Sequence, residues 1–277
     1  MIGRLAPALV AATVLTNPGP ARADAAAAQP APAVMAALGD SITTGFNACG
    51  WYVSCASRSW SAGDNRTVSS HYLRLSELSG TLQRHNFAVP GSTSADLLGQ
   101  VRKAVAARAD YVTILIGAVD ACARTEQAMT PAATYRRRLE SALAELDAGA
   151  PQARVLFASV PDLRRLWQAG KNNPVAKTFW TLGRICPTML ARPSSARRAD
   201  TERRARVRDR VIAYNQAAAE VCAAYGPRCA TDGGAVFDYP FTLEHVSKWD
   251  YFHPSAAGQR VLAAQTFGHG FDWIDPR

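Results

Sequence analysis

The stretch "DYVTILIG" (110–117) decides the fold class of this 277-residue chain. It is a run of β-branched and other apolar residues that stops at a glycine, which is typical of a strand buried on both faces. Working outward from it, similar strands are predicted at 34–38, within 79–89, at 153–161 and near 235–239. Helices are predicted at 92–108, 130–151, 196–210 with its continuation, and 254–267.

Because strands and helices alternate, we expect one parallel sheet with helices on both faces. In such folds ligands bind beyond the carboxyl ends of the strands. Residues in the loops that follow strands are therefore the first candidates for a functional site.

The N-terminus has the pattern of a secretory signal peptide, predicted at 1–23. Arg4 precedes the apolar run 5–15, and "ARA" (21–23) fits a cleavage site. The apolar run is too short for stable membrane insertion, so we expect a secreted protein. A flexible leader at 24–33 and a single domain at 34–277 are predicted to follow. Loss of Arg4 and Arg22, with no acidic residue, would lower the formal charge from +9 to +7.

Six cysteines in an exported chain predict three disulfides. Six thiols allow fifteen pairings. We predict 49–55 and 222–229, because each closes a short loop, which leaves 122–186. A zinc site is the alternative, but the chain has no CxxC pair and no clustered histidines, so no metal is predicted. The six positions are Cys49, Cys55, Cys122, Cys186, Cys222 and Cys229.

Two segments have competing interpretations. The arginine-rich stretch 196–210 is either the solvated face of a long helix or a patch that attracts phospholipid headgroups or acidic polysaccharide. No nucleic-acid motif accompanies it. The insert 163–193 carries Trp167, Phe179 and Trp180, which would either line a substrate pocket or pack a small second core.

Chemistry-bearing residues follow the predicted strands in "GDSITTG" (39–45), "PGSTS" (90–94) and "DYFH" (250–253). Ser41 comes directly after a strand and is predicted to open a helix, so its hydroxyl can face a cleft. Gly91 lets backbone approach a substrate oxygen. Asp250 precedes His253 by three residues, a spacing that can orient an imidazole to accept a proton from Ser41.

With these motifs in this order, the mature chain resembles the SGNH hydrolases, also called GDSL esterases and lipases. The resemblance implies a flavodoxin-like three-layer α/β/α sandwich with a central parallel sheet and no cofactor. It implies Ser41 as nucleophile and oxyanion donor, Gly91 as second donor, and Asp250 and His253 as acid and base. The Gly-x-Ser-x-Gly elbow of α/β-hydrolases is absent.

The loop "GAVD" (117–120) departs from the family pattern Gly-x-Asn-Asp, in which the asparagine donates to the oxyanion. Val119 stands in its place and has no donor. Three explanations compete: a slow enzyme, a donor supplied by Asn86 or Asn47, or a non-catalytic lipid or ester binder. Asp120 is expected to hold the loop through local hydrogen bonds.

The sequence thus predicts a secreted serine esterase, lipase or phospholipase that forms an acyl-enzyme. A carbohydrate-ester or feruloyl-type esterase is an alternative. The expected partner is an acyl-ester substrate (a lipid, a phospholipid or an acylated polysaccharide), with no nucleic acid, and the protein is expected to be monomeric.

Overall fold

A computed structural model describes residues 29–274. Five parallel strands form the central sheet, in the order β3-β2-β4-β5-β6. A separate two-stranded pair, β1 and β7, joins the two ends of the described chain. The strands are β1 (Gln29–Pro30), β2 (Val34–Gly39), β3 (Gln83–Asn86), β4 (Tyr111–Leu115), β5 (Arg154–Phe157), β6 (Cys229–Thr231) and β7 (Trp273–Ile274).

Within residues 29–274, ten α-helices connect and cover the strands. Numbered along the chain, they are α1 (His71–Ser79), α2 (Leu97–Ala106), α3 (Ala118–Ala121), α4 (Ala132–Gly149), α5 (Leu163–Gly170), α6 (Pro174–Leu182), α7 (Pro187–Leu190), α8 (Arg198–Tyr225), α9 (Ala235–Asp238) and α10 (Ala256–Gly268). Three single-turn 3-10 helices lie at Ala56–Arg58, Glu126–Ala128 and Leu243–His245.

Both faces of the sheet are buried. On β4, Val112 and Ile114 pack in the large core on the side of α2, α4 and α8, whereas Tyr111 packs with Leu75 of α1 on the other side. The helix α10 covers that second side, where Thr266 bonds His71 of α1. The predicted flavodoxin-like three-layer α/β/α sandwich is therefore confirmed, since the strand order also matches that fold.

Two local predictions were wrong. Residues 41–49 form a series of turns instead of a helix that opens at Ser41. The segment predicted as a strand near 235–239 is the short helix α9, and the last strand of the sheet is β6. The carboxylate of Asp232, directly after β6, accepts the N–H of Val236 and so starts the helical turn.

The predicted signal peptide 1–23 lies outside the described residues, as do residues 24–28 of the predicted leader. Residues 29–33, the last part of the leader that was predicted to be flexible, bond to the domain. Gln29 pairs with Trp273, and the N–H groups of Ala33 and Val34 donate to the Asp110 carboxylate. These bonds attach the segment to β7 and to the start of β4.

The three predicted disulfides, 49–55, 122–186 and 222–229, are all present. The pair Cys122–Cys186 joins the end of α3 to the start of α7, across 64 residues. Within residues 29–274, no helix is both long enough and apolar enough to cross a membrane.

The arginine-rich segment belongs to the long helix α8, and several of its side chains bind within the protein. Arg206 pairs with Glu126, and Arg208 pairs with Asp162. Arg204 is buried, donates to the carbonyls of Arg192 and Ser195, and lies 4.3 Å from the Trp167 ring centroid. A large part of this positive charge therefore holds α8 to its neighbours.

Candidate active site

Ser41 lies just beyond the carboxyl end of β2, in a tight turn. The Asp40 carboxylate accepts the N–H of Ile42 at 2.8 Å, and the Ser41 carbonyl accepts the N–H of Phe46. These bonds orient the Ser41 side chain toward the last loop of the chain. Its Oγ lies 2.8 Å from Nε2 of His253.

His253 is held by the Asp-x-x-His turn that the sequence predicted. Its Nδ1 lies 2.6 Å from Oδ2 of Asp250, while Oδ1 of Asp250 accepts the N–H groups of Phe252 and His253. Burial acts to raise the pKa of Asp250. The hydrogen bond and the charge of His253 outweigh this effect, together with the bonds from the Phe252 N–H and the Asn47 amide. The pKa of Asp250 therefore lies below its usual value. The carboxylate form therefore faces the imidazole.

Asn47 supports the acid of the site, whereas the sequence suggested it only as a substitute oxyanion donor. Its Nδ2 donates to Oδ2 of Asp250 at 2.5 Å, and its Oδ1 accepts the N–H of Tyr52 at 2.8 Å. Its backbone is left-handed, with φ of 60°, a conformation that asparagine tolerates better than most residues. The only sequence signal is the asparagine itself, in a turn-rich segment six residues after Ser41.

Neither asparagine suggested as a substitute oxyanion donor is directed that way. The Asn47 amide nitrogen donates to Asp250, and the Asn86 amide nitrogen donates to the carbonyl of Thr43 at 3.0 Å. Both side chains brace the Ser41 turn and the acid instead. This finding disfavours the explanation in which one of them replaces the missing family asparagine.

A cavity of about 250 Å³ lies in front of Ser41. Its walls include Gly91, Val119 and His253, so the structure brings together the residues predicted for the site. Gly91 has φ of 83°, which favours glycine, and the residue is exposed. Within residues 29–274, the N–H groups of Ser41 and Gly91 donate to no protein acceptor, whereas the Val119 side chain adds only apolar surface.

Asp120 joins two of the site loops. Its carboxylate accepts the backbone N–H of Ser94 at 2.8 Å and the Ser94 hydroxyl at 2.6 Å, and it lies 3.7 Å from Arg138. The predicted structural role is therefore present, but the bonds are not local. They link the loop after β4 to the loop that carries Gly91.

Two buried glutamines were also missed. Gln100 on α2 bonds both backbone groups of Gly39, and Gln259 on α10 accepts from Trp60 and donates to the carbonyl of Ile42. Each amide braces the backbone on one side of Ser41. The sequence signal was a polar residue on the apolar face of a helix, as Gln100 lies between Leu97 and Val101.

Asp40 is fully buried beside the nucleophile. Burial raises the pKa of its carboxyl to about 7, against lowering contributions from the Ile42 N–H and His253. Within the described residues its Oδ2 has no hydrogen-bond partner. Because an unpaired buried charge is costly, the protonated carboxyl is the favoured form below about pH 7.

The cavity at Ser41 is not lined by the aromatic residues of the insert, Trp167, Phe179 and Trp180. The prediction that they line the substrate pocket at Ser41 is therefore not supported by the structure. The indole N–H of Trp167 donates to the Pro193 carbonyl, and that of Trp180 donates to the Tyr251 carbonyl. Phe179 packs against the Tyr251 ring. Trp180 is part of the large core and Trp167 packs against it, so these two residues have a packing role but do not form a separate small core.

Comparison with protein families accounts for this arrangement. The profile of the GDSL-like lipase/acylhydrolase family matches residues 37–261, which include every loop of the site. The chain belongs to this family. Among curated proteins, no sequence matches it.

Solved structures of similar fold include several hydrolases. The α/β hydrolase enzyme LAE5 from the metagenome of Lake Arreo, Spain, is 19% identical, with a TM-score of 0.54, and the match covers 87% of this chain and 95% of LAE5. Phospholipase A1 from Streptomyces albidoflavus NA297 is 19% identical, with a TM-score of 0.52 and coverage of 87% and 100%. The lipase Lip_vut3 from a goat rumen metagenome is 15% identical, with a TM-score of 0.52 and coverage of 86% and 97%. The GDSL-like protein described here shares their fold.

Proposed function

We propose that this chain is a secreted serine ester hydrolase that acts through an acyl-enzyme. The observation that carries the proposal is the continuous chain of contacts from Ser41 Oγ to His253 Nε2, at 2.8 Å, and from His253 Nδ1 to Asp250 Oδ2, at 2.6 Å. A nucleophile bonded to a base that is oriented by an acid is the arrangement that activates a serine hydroxyl.

The reaction follows from these positions. His253 accepts the proton of Ser41 as Oγ attacks the ester carbonyl, and Asp250 stabilises the imidazolium that forms. The developing oxyanion accepts from the N–H groups of Ser41 and Gly91. His253 then protonates the leaving alcohol, and water releases the acyl group by the same steps in reverse.

Val119 limits this reaction. An oxyanion hole with one donor fewer loses roughly 2.7–4 kcal/mol of transition-state stabilisation, which is about 10²–10³ in rate. We therefore propose a slow esterase of the lipase or phospholipase kind, with carbohydrate esters as the alternative substrates. Three disulfides support an extracellular location, because such bonds persist in oxidising compartments.

A non-catalytic ester or lipid binder is the second candidate, and the apolar Val119 in the oxyanion position is the observation that favours it. Covalent labelling separates the two functions. A fluorophosphonate probe should react with the parent protein and not with Ser41→Ala, since only an activated serine attacks phosphorus. The parent should also hydrolyse nitrophenyl esters.

The control is folding, because Ser41 borders a cavity and its loss removes no core contact. The thermal unfolding midpoint of Ser41→Ala should equal that of the parent within a few degrees. An unlabelled parent, or a label that persists in Ser41→Ala, would contradict the proposed mechanism.

A further inference from the structure

A second, apolar cavity of about 60 Å³ lies beside the one at Ser41. The two cavities share three wall residues, Ile42, Ala118 and Phe252. Ile42 directly follows the nucleophile, and Phe252 directly precedes the base. The second cavity is therefore separated from the reacting atoms only by side chains that already border them.

The lining of this second cavity is apolar. Beyond the shared residues, the aliphatic and aromatic contributors are Pro161, Leu163, Leu166, Phe241, Val246, Pro254 and Leu262. They come from the loop after β5, from α5, from the segments on both sides of His253, and from α10.

The two polar residues of the lining have partners elsewhere. Asp162 accepts the N–H of Arg164 and pairs with Arg208, and Nδ1 of His245 accepts the N–H of Thr242. The Asp162 carboxylate and Nδ1 of His245 therefore do not depend on water from the cavity. An apolar cavity without unsatisfied polar groups stays dry and accepts an apolar guest.

We propose that this second cavity binds the far end of the acyl chain of the ester substrate, and so selects saturated chains of medium length. This inference rests on the proposed function. With the carbonyl carbon at Ser41, the chain passes the shared wall as the Phe252 side chain turns aside. The charged and hydroxylated groups of a sugar acid would leave buried polar atoms unpaired there, so an alkyl chain is the fitting occupant.

The volume sets the chain length. A space of about 60 Å³ holds on the order of four water-sized groups. With the carbonyl carbon and its neighbour in the Ser41 cavity, a chain of about six carbons fills both. We expect kcat/KM for nitrophenyl esters to rise about fourfold per methylene from acetyl to about hexanoyl, and to fall for chains much longer than that.

Leu166 on α5 offers variants with opposite outcomes. Leu166→Trp fills the cavity and should lower kcat/KM for the hexanoyl ester by at least tenfold while leaving the acetyl ester within about twofold. Leu166→Ala enlarges the cavity and should move the optimum to longer chains. Leu182→Trp is the matched control, because Leu182 lies on α6 with 81% of its surface exposed and should keep the parent profile.

Fluorophosphonate labelling of each variant shows whether the catalytic residues remain intact. If labelled, folded Leu166→Trp and Leu166→Ala both keep the parent chain-length profile, the cavity does not bind the acyl chain and the inference is overturned. A parent that is neither labelled nor active on the acetyl ester overturns the proposed function instead, so the two failures are distinct.

Discussion

Val119 places an apolar side chain where an ester carbonyl would gain negative charge. In the part of the chain that the structure describes, the N–H groups of Ser41 and Gly91 donate to no protein acceptor, and the amides of Asn47 and Asn86 bond elsewhere. In the proposed mechanism, the missing oxyanion donor is thus confined to this one side chain. The rest of the proposed machinery needs no rearrangement to use an added donor.

We expect Val119→Asn to raise kcat on a simple ester by about 10²–10³ with little change in KM. The amide would bond the charged tetrahedral oxygen more strongly than the neutral carbonyl, so the gain appears in the chemical step. Steady-state kinetics of Val119→Asn and of Val119→Ala, which adds no donor, test this. A folded Val119→Asn with parental kcat would mean that the hole already has its donors.

Asp40 gives the protein a pH-dependent stability. Because the folded-state pKa is about 7 and the unfolded value is near 3.8, the folded state holds this proton more tightly. Its contribution to the free energy of unfolding is fully present below pH 4 and is lost as pH rises to about 7. Asp40→Asn keeps an acceptor for the Ile42 N–H but cannot ionise.

The free energy of unfolding of the parent, taken relative to that of Asp40→Asn, should therefore fall by roughly 3–5 kcal/mol between about pH 4 and about pH 7. Above about pH 7 this difference should stay constant. Urea unfolding across this range measures the difference, and the other titrating groups cancel between the two proteins. Parallel pH profiles would show that Asp40 titrates near its ordinary value.

Asn47 is expected to matter through Asp250. Asn47→Gly keeps the left-handed backbone but removes a hydrogen bond to a carboxylate, so kcat should fall on the order of tenfold. Asn47→Asp should fall further, because a second carboxylate would oppose Asp250. Steady-state kinetics of both variants on a nitrophenyl ester, beside their thermal unfolding midpoints, test this, and a folded Asn47→Gly with parental kcat would show that the bond to Asp250 does not support catalysis.

The sequence predicted the motif residues Ser41, Gly91, Asp250 and His253, because each lies in a short, recognisable sequence motif. The supporting roles of Asn47 and of the buried glutamines Gln100 and Gln259 were not predicted, because each residue acts through a tertiary contact of a single amide. One polar residue on an apolar helix face indicates a buried hydrogen bond but does not name its partner.

At the scale of elements, Asp120 connects the loop after β4 with the loop that carries Gly91. Asp120→Asn removes an acceptor from Ser94, whose N–H or hydroxyl would then face an amide nitrogen. The cost should be about 1–3 kcal/mol, or roughly 2–4 °C of thermal midpoint for each kcal/mol. We also expect kcat to fall, because the Gly91 N–H loses its support.

Asp96→Asn is the matched control for this prediction. Asp96 is exposed and bonds Thr93 within the Gly91 loop itself. Its substitution should leave both midpoint and kcat close to the parent. If both substitutions lowered the thermal midpoint and kcat by similar amounts, the hydrogen bonds between the two loops would not be specifically required.

Elements with a strong hydrophobic period were predictable to within a few residues, as β4 and α4 show. The failures lie where local bonds override the pattern. Residues 235–239 are apolar enough for a strand, but two glycines with positive φ and the bond from Val236 to Asp232 turn them into α9. In the 41–49 turns, Gly45 and Asn47 have positive φ, which a helix excludes.

At the scale of the whole molecule, many of the positively charged side chains make contacts that stabilise the fold. The arginines of α8 bind Glu126, Asp162 and several carbonyls, and Arg204 packs on Trp167 of the insert. The composition predicted a basic helix, but partners distant in sequence could not be read from it. The aromatic insert and the basic helix, which looked like two separate features, are one packed unit.

The contact between Ser41 and His253 joins residues 212 positions apart. The nucleophile leaves the first strand of the sheet, and its base arrives just before the last helix, so the pair forms only when nearly the whole domain has condensed. A chain still emerging from a ribosome or a translocon would carry Ser41 without its base.

Covalent labelling of Ser41 should therefore report the last stage of folding. In refolding from urea with the disulfides intact, the ability to react with a fluorophosphonate should return with the slowest phase of native fluorescence, after the helical circular dichroism signal has recovered. Under the proposed function, the unfinished protein would therefore have no esterase activity until that moment.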